Sequence, residues 1–135
     1  MQPFLDSTDA LNDATELRSR AERDGHLYLR ALLPIETIER LRLQILGVAN
    51  EAGWVRSDAP LEEAFADLNR FCVEPNPDYM DVCARMYALP DFHAIQHHPK
   101  LIAVIESILG ETVIPHPRII GRTIFPQKEA YTTPA

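Results

Sequence analysis

The sequence is short of several things, and each shortage excludes a class of protein. Only two of its 135 residues are cysteine, Cys72 and Cys83. One pair makes no disulfide framework, so both are expected as free thiols in a reducing cytoplasm. Glycine is scarce at 5 while proline reaches 11, so bends are set by fixed φ angles more than by permissive ones. No apolar run approaches the roughly 20 residues that span a bilayer; Arg or Pro interrupts each one. The opening MQPFLDSTDA carries acids where an export signal carries bases, so neither export nor a membrane partner is expected. A Gly-rich phosphate loop, a nucleophile elbow and a Ser/His/Asp arrangement are all missing.

What is present is a soluble-protein composition, 46% hydrophobic and 24% charged, of a length that fits one domain. The formal charge of −7 divides into −5 over residues 1–70 and −2 over 71–135. That balance argues against a nucleic-acid partner, since such binding depends on neutralising phosphates. Residues 112–128 run against it, with Arg118, Arg122, Lys128 and no acid. This basic island is either solvated strand charge or a place for a small anion.

Periodicity predicts helices first. Leu11, Ala14 (or Thr15) and Leu17 (or Ala21) recur at helical spacing up to Asp24, with Asp9 a candidate N-cap and Gly25 a stop. His26–Leu32 alternates as a short strand. Pro34 opens a helix whose apolar positions Ile38, Leu41, Ile45, Val48 and Ala52 step by three or four. A short helix is expected around Leu61–Leu68, another over Asp78–Leu89 with Met80, Cys83 (or Val82) and Tyr87 (or Met86) inward, a helical turn after Pro90, and a last helix from Pro99 to Gly110. Two extended runs follow, TVIP and RIIGRTIF. In the second, Ile119, Gly121, Thr123 and Phe125 share one face, and Ile120, Arg122 and Ile124 the other. Helices over about 11–109 and strands over about 112–125 make an α+β chain whose sheet is incomplete. The whole of 1–135 is therefore expected to be one N-terminal portion of something larger.

Few residues in this pattern carry chemistry. His93 and His97 stand four apart, and Asp91 is the best third ligand, but Ala94 occupies the place where a zinc-protease helix has Glu. A polar turn leading into the Pro99 helix, with His98 near its N-cap, explains the same residues. His26 and His116 sit beside strands as ordinary hydrogen-bonding groups. Gly121 within a strand marks either the close approach of a ligand or another backbone, or a bulge or tight packing contact.

The order of segments adds a resemblance. DGHLYLRALLPIETIERLRLQI, then FHAIQHHPKLIAVIESILGETVIPHP, then RIIGRTIFPQKEAYTTPA resembles the phytanoyl-CoA dioxygenase family over roughly residues 20–135. The resemblance implies a double-stranded β-helix, or jelly roll, that binds Fe(II) and 2-oxoglutarate and hydroxylates a small-molecule substrate with O₂. Two His and a carboxylate hold the metal in such proteins. The family's His-any-Asp motif is expected directly after a TTPA-like segment, and it, the distal His and the basic residue that anchors the oxoacid's far carboxylate are all expected beyond Ala135. No metal ligand or catalytic residue is therefore assigned in this chain, and alone it is expected to bind neither cofactor. The missing C-terminal portion is a conceivable partner as a separate chain. The resemblance carries over only supporting residues: Arg122 and Phe125 on or beside the strand lining the oxoacid pocket, and Thr132 and Thr133 on the approach to the iron motif. A salt bridge is the competing role for Arg122. The rival reading of the whole is a non-enzymatic helical module that pairs with a partner through the exposed strand RIIGRTIF.

Overall fold

The computed structural model describes residues 4–126. They form helices α1 (Ala14–Asp24), α2 (Ile35–Glu51), α3 (Pro77–Tyr87), α4 (Pro90–Ala94) and α5 (Pro99–Leu109), with short 3₁₀ turns between them. The chain divides into two compact units, one of residues 4–38 and 94–117, the other of 39–93 and 118–126.

In the first unit, α1 packs against α5 around Leu17, which is wholly buried, and Val104. Asp13, not Asp9, caps α1: its carboxylate accepts from the Thr15 and Glu16 amides at 3.1 and 3.0 Å. Asp9 instead pairs with Arg20. Gly25 and Gly110 end α1 and α5 in the left-handed region, where a side chain is strained. The Arg18 guanidinium donates to the Ser107 and Ile108 carbonyls in the last turn of α5, and so satisfies groups that the helix leaves without partners.

The strand expected at His26–Leu32 shrinks to a single parallel bridge between Asp6 and Tyr28. Leu27 and Leu29 do turn inward while Tyr28 and Arg30 face out. Ala31 then takes φ +50°, which breaks the extended run and reverses the alternation.

The second unit is built around Ala49, Trp54, Val55, Tyr79, Val82, Cys83, Met86 and Phe125. Trp54 follows the end of α2 and stacks on Tyr79, with ring centroids 5.6 Å apart. A loop leaves and returns through an antiparallel bridge between Val55 and Ala66. The helix expected over Leu61–Leu68 is two separate 3₁₀ turns, Leu61–Glu63 and Leu68–Arg70, parted by Ala64 at φ +54°. Asn76 caps α3 and Pro77 sits in its first turn. The inward stripe of α3 is Tyr79, Val82, Cys83 and Met86. Met80, expected inside, is 47% exposed, because the stripe is turned by about one residue.

The largest correction concerns the sheet. Among the described residues the only β pairing is the two isolated bridges, and no jelly-roll strand is present. Residues 118–125 alternate in burial as an extended run does, yet residues 111–126 make no backbone-to-backbone hydrogen bond among the described residues. Apolar alternation fixes which face is buried, but a strand also needs a neighbouring backbone, and here side chains take that place. No helix among the described residues is long and apolar enough to cross a membrane.

Two predictions follow from local geometry. Ala31→Gly and Ala64→Gly relieve left-handed strain and should each stabilise the protein by roughly 0.5–1 kcal/mol in urea denaturation, whereas Gly110→Ala should destabilise it by a similar amount. The second concerns Asp91, whose carboxyl is held below its ordinary pKa by the hydrogen-bonded Arg40 guanidinium and then by Gln44. A depressed carboxylate stabilises fully above its unfolded pKa of about 3.9, and this is lost as pH falls through the lower folded value. Asp91→Asn should therefore be less stable than the parent at pH 7, with the difference closing towards pH 2.

Candidate functional site

The extended run at 118–126 is the one segment where the sequence expectations converge, and the second unit supplies its bed. Phe125 is the anchor, 4% exposed, edge-on to Trp54 and Phe71 at centroid distances of 5.3 and 5.6 Å. Behind it the α3 tyrosines act through their hydroxyls. Tyr87 donates to the Gly121 carbonyl at 2.6 Å and Tyr79 to the Thr123 carbonyl at 3.3 Å. Burial raises both phenol pKa values, so these donors keep their protons. The Thr123 hydroxyl reaches the Met86 sulfur at 3.8 Å.

Gly121 lies against the rings of Phe92 and Tyr87. A methyl group on it would stand 3.0 Å from Cζ of Phe92 and 3.6 Å from Tyr87. Of the two readings of this glycine, the structure supplies the packing contact. Burial follows the predicted faces: Ile119, Gly121, Thr123 and Phe125 are partly or fully buried, while Ile120, Arg122 and Ile124 are exposed. Arg122 and Phe125 therefore occupy opposite sides of the segment and are not brought together. Thr132 and Thr133 lie outside the described residues.

The histidines serve the backbone. His93 Nε2 is 2.6 Å from the Tyr87 carbonyl, so it must carry the proton and donate there, at the end of α3. His98 Nδ1 accepts from the Lys100 amide as the N-cap of α5, the place expected for it. The α-helical turn that would align His93 with His97 stops at Ala94 and tightens into a 3₁₀ turn. Asp91, the third candidate ligand, is engaged by Arg40 and Gln44. Among the described residues no three His, Cys, Asp or Glu side chains are placed to hold a metal ion. These residues do not fit an iron centre.

A cleft of about 410 Å³ opens beside the same core, floored by Trp54, Phe71 and Cys72 and rimmed by Arg70, Asp78 and Asp81. Burial pushes the Cys72 thiol above its usual pKa and the charge of Asp78 adds to this, so it is no activated nucleophile. The residues that shape the candidate site and escaped the sequence are Tyr79 and Phe92. The signal for the first was the eight-residue spacing of Tyr79 and Tyr87, which puts both on one face of α3.

Compared with protein-family models, with curated proteins and with solved structures, the chain finds no match in any of the three.

The crowding at Gly121 is directly testable. Gly121→Ala should cost about 1–3 kcal/mol, because the Phe92 ring must move. Adding Phe92→Leu should recover at least half of that loss in a double-mutant cycle read by urea denaturation.

Proposed function

We propose that this chain is the helical N-terminal part of a nonhaem iron, 2-oxoglutarate-dependent oxygenase that hydroxylates a small molecule. The observation that carries the reading is the segment 118–126, laid extended over an aromatic bed with Arg122 on the side facing away from that bed. It lies where the resembling family runs into its iron motif. The resemblance in segment order supports the same reading, as α2 and α5 occupy its two helical stretches. In this reading His-any-Asp follows Ala135, and the described residues hold no step of the reaction. Bound Fe(II) and 2-oxoglutarate would supply the oxidising chemistry, and no described residue would hold the metal. The part played by this chain is to hold Arg122, a cation suited to a dianionic oxoacid, in place.

One observation favours a second reading, a binding module that adds a partner's strand. Ile120 and Ile124 are 69% and 57% exposed, and neither makes a backbone hydrogen bond among the described residues.

The deciding measurement is succinate release from 2-oxoglutarate by the protein as its full reading frame encodes it. Turnover that needs Fe(II) and falls at least 100-fold when the first His of the expected His-any-Asp is replaced by Ala is the outcome expected. The 135-residue chain alone should bind neither Fe(II) nor 2-oxoglutarate stoichiometrically in calorimetry. Turnover indifferent to that replacement, or its complete lack, would overturn the oxygenase in favour of the module.

A further inference from the structure

RIIGRTIF is apolar on both sides, so apart from the Phe125 anchor burial places it weakly. Sliding the run by one residue would turn Ile120 and Ile124 inward at little cost, but Arg122, with Arg118 or Pro126 beside it, would come inward too and Phe125 would turn outward. Sliding it by two would keep every residue on its proper side but take Phe125 from its place against Trp54 and Phe71. The structure opposes the two slips with different groups.

The hydroxyls of Tyr79 and Tyr87 oppose the first. They donate to carbonyls two residues apart, those of Thr123 and Gly121, which lie along the same edge of an extended chain. A slip by one, or a roll of the chain, presents the other edge and breaks both bonds. After a slip by two, carbonyls again face the tyrosines, but Ile119 or Thr123 then falls under the Phe92 ring. At that point even a Cβ stands only 3.0 Å from the ring. Hydroxyls and glycine together leave one register.

We infer that Tyr79, Tyr87 and the Gly121–Phe92 contact form a register latch, and that the two tyrosines are positioning residues for Arg122. They touch no substrate. They hold the run so that Arg122 stands on the side away from the aromatic bed. That this side receives the oxoacid rests on the oxygenase reading; the latch itself rests on the geometry alone.

The test takes the full encoded protein with Tyr79→Phe and Tyr87→Phe, singly and together, since Phe keeps each buried ring and removes only the hydroxyl. Trypsin cleavage after Arg122 reads the latch without any activity. The double variant should be cut about ten-fold faster than the parent while its circular dichroism stays unchanged. Phe92→Leu, which opens room for the slip by two, should move cleavage in the same direction. Rates equal to the parent's in both variants would overturn the latch. The KM for 2-oxoglutarate should rise about ten-fold in the double variant with kcat within about two-fold. Faster cleavage with unchanged KM would overturn the positioning of Arg122. A parent protein without oxoglutarate turnover would overturn the oxygenase reading, and the cleavage comparison would still decide the latch.

Discussion

The burial of Phe125 against Trp54 and Phe71 is the contact on which the second unit turns. Trp54 can receive that ring because α2 stops just before it. Gly53 takes φ +73°, and the Trp54 amide bonds back to the Ala49 carbonyl. The Trp54 carbonyl in turn accepts from the Asp67 amide and closes the loop that follows. A helix end, a loop closure and an extended segment therefore share one indole. Burying a ring of this size contributes about 2–3 kcal/mol, a large part of the stability of a small unit.

Much of this was legible in the sequence. The α2 stripe, Pro34 directly before α2, Pro99 in the first turn of α5, Gly25 and Gly110 as stops, and His98 as a cap are local features, written in nearest-neighbour chemistry. The two faces of 118–125 were legible for the same reason, since alternation records burial. What the alternation could not record was the partner. Residues such as Ile119 and Phe125 suit any flat apolar bed, and the bed is a helix bearing tyrosines, so the expected sheet does not form among the described residues. Ala31 and Ala64 hide their left-handed backbones because alanine gives no warning of one. Asp9 and Asp13 are equally good caps on paper; a distant basic residue, Arg20, claims Asp9. Of the four residues singled out as supporting a cofactor, Phe125 is a core anchor and Arg122 faces the opposite way.

Several polar side chains of the described residues are spent on holding backbone. Asp13, Asp67, Asn76 and His98 cap helical turns, His93 serves the end of α3, and Arg18 the end of α5. This explains why a chain with five histidines and 20 acids offers no metal set among the described residues. Groups engaged in this way contribute rigidity, and rigidity is what a shelf for one extended segment requires.

The bond from Arg18 to Ile108 spans 90 residues of sequence, and that distance bears on how the protein can be made and cut. Each compact unit is assembled from two stretches, and the stretches alternate along the chain. During synthesis α1 must wait for α5, and the bed for Phe125 must wait for residues made later still. Closing such long loops carries an entropic cost before any contact rewards it. Neither unit can be lifted out as one continuous piece. A boundary drawn anywhere between residues 39 and 117 divides one unit or both, so a fragment library of this protein should yield few soluble pieces.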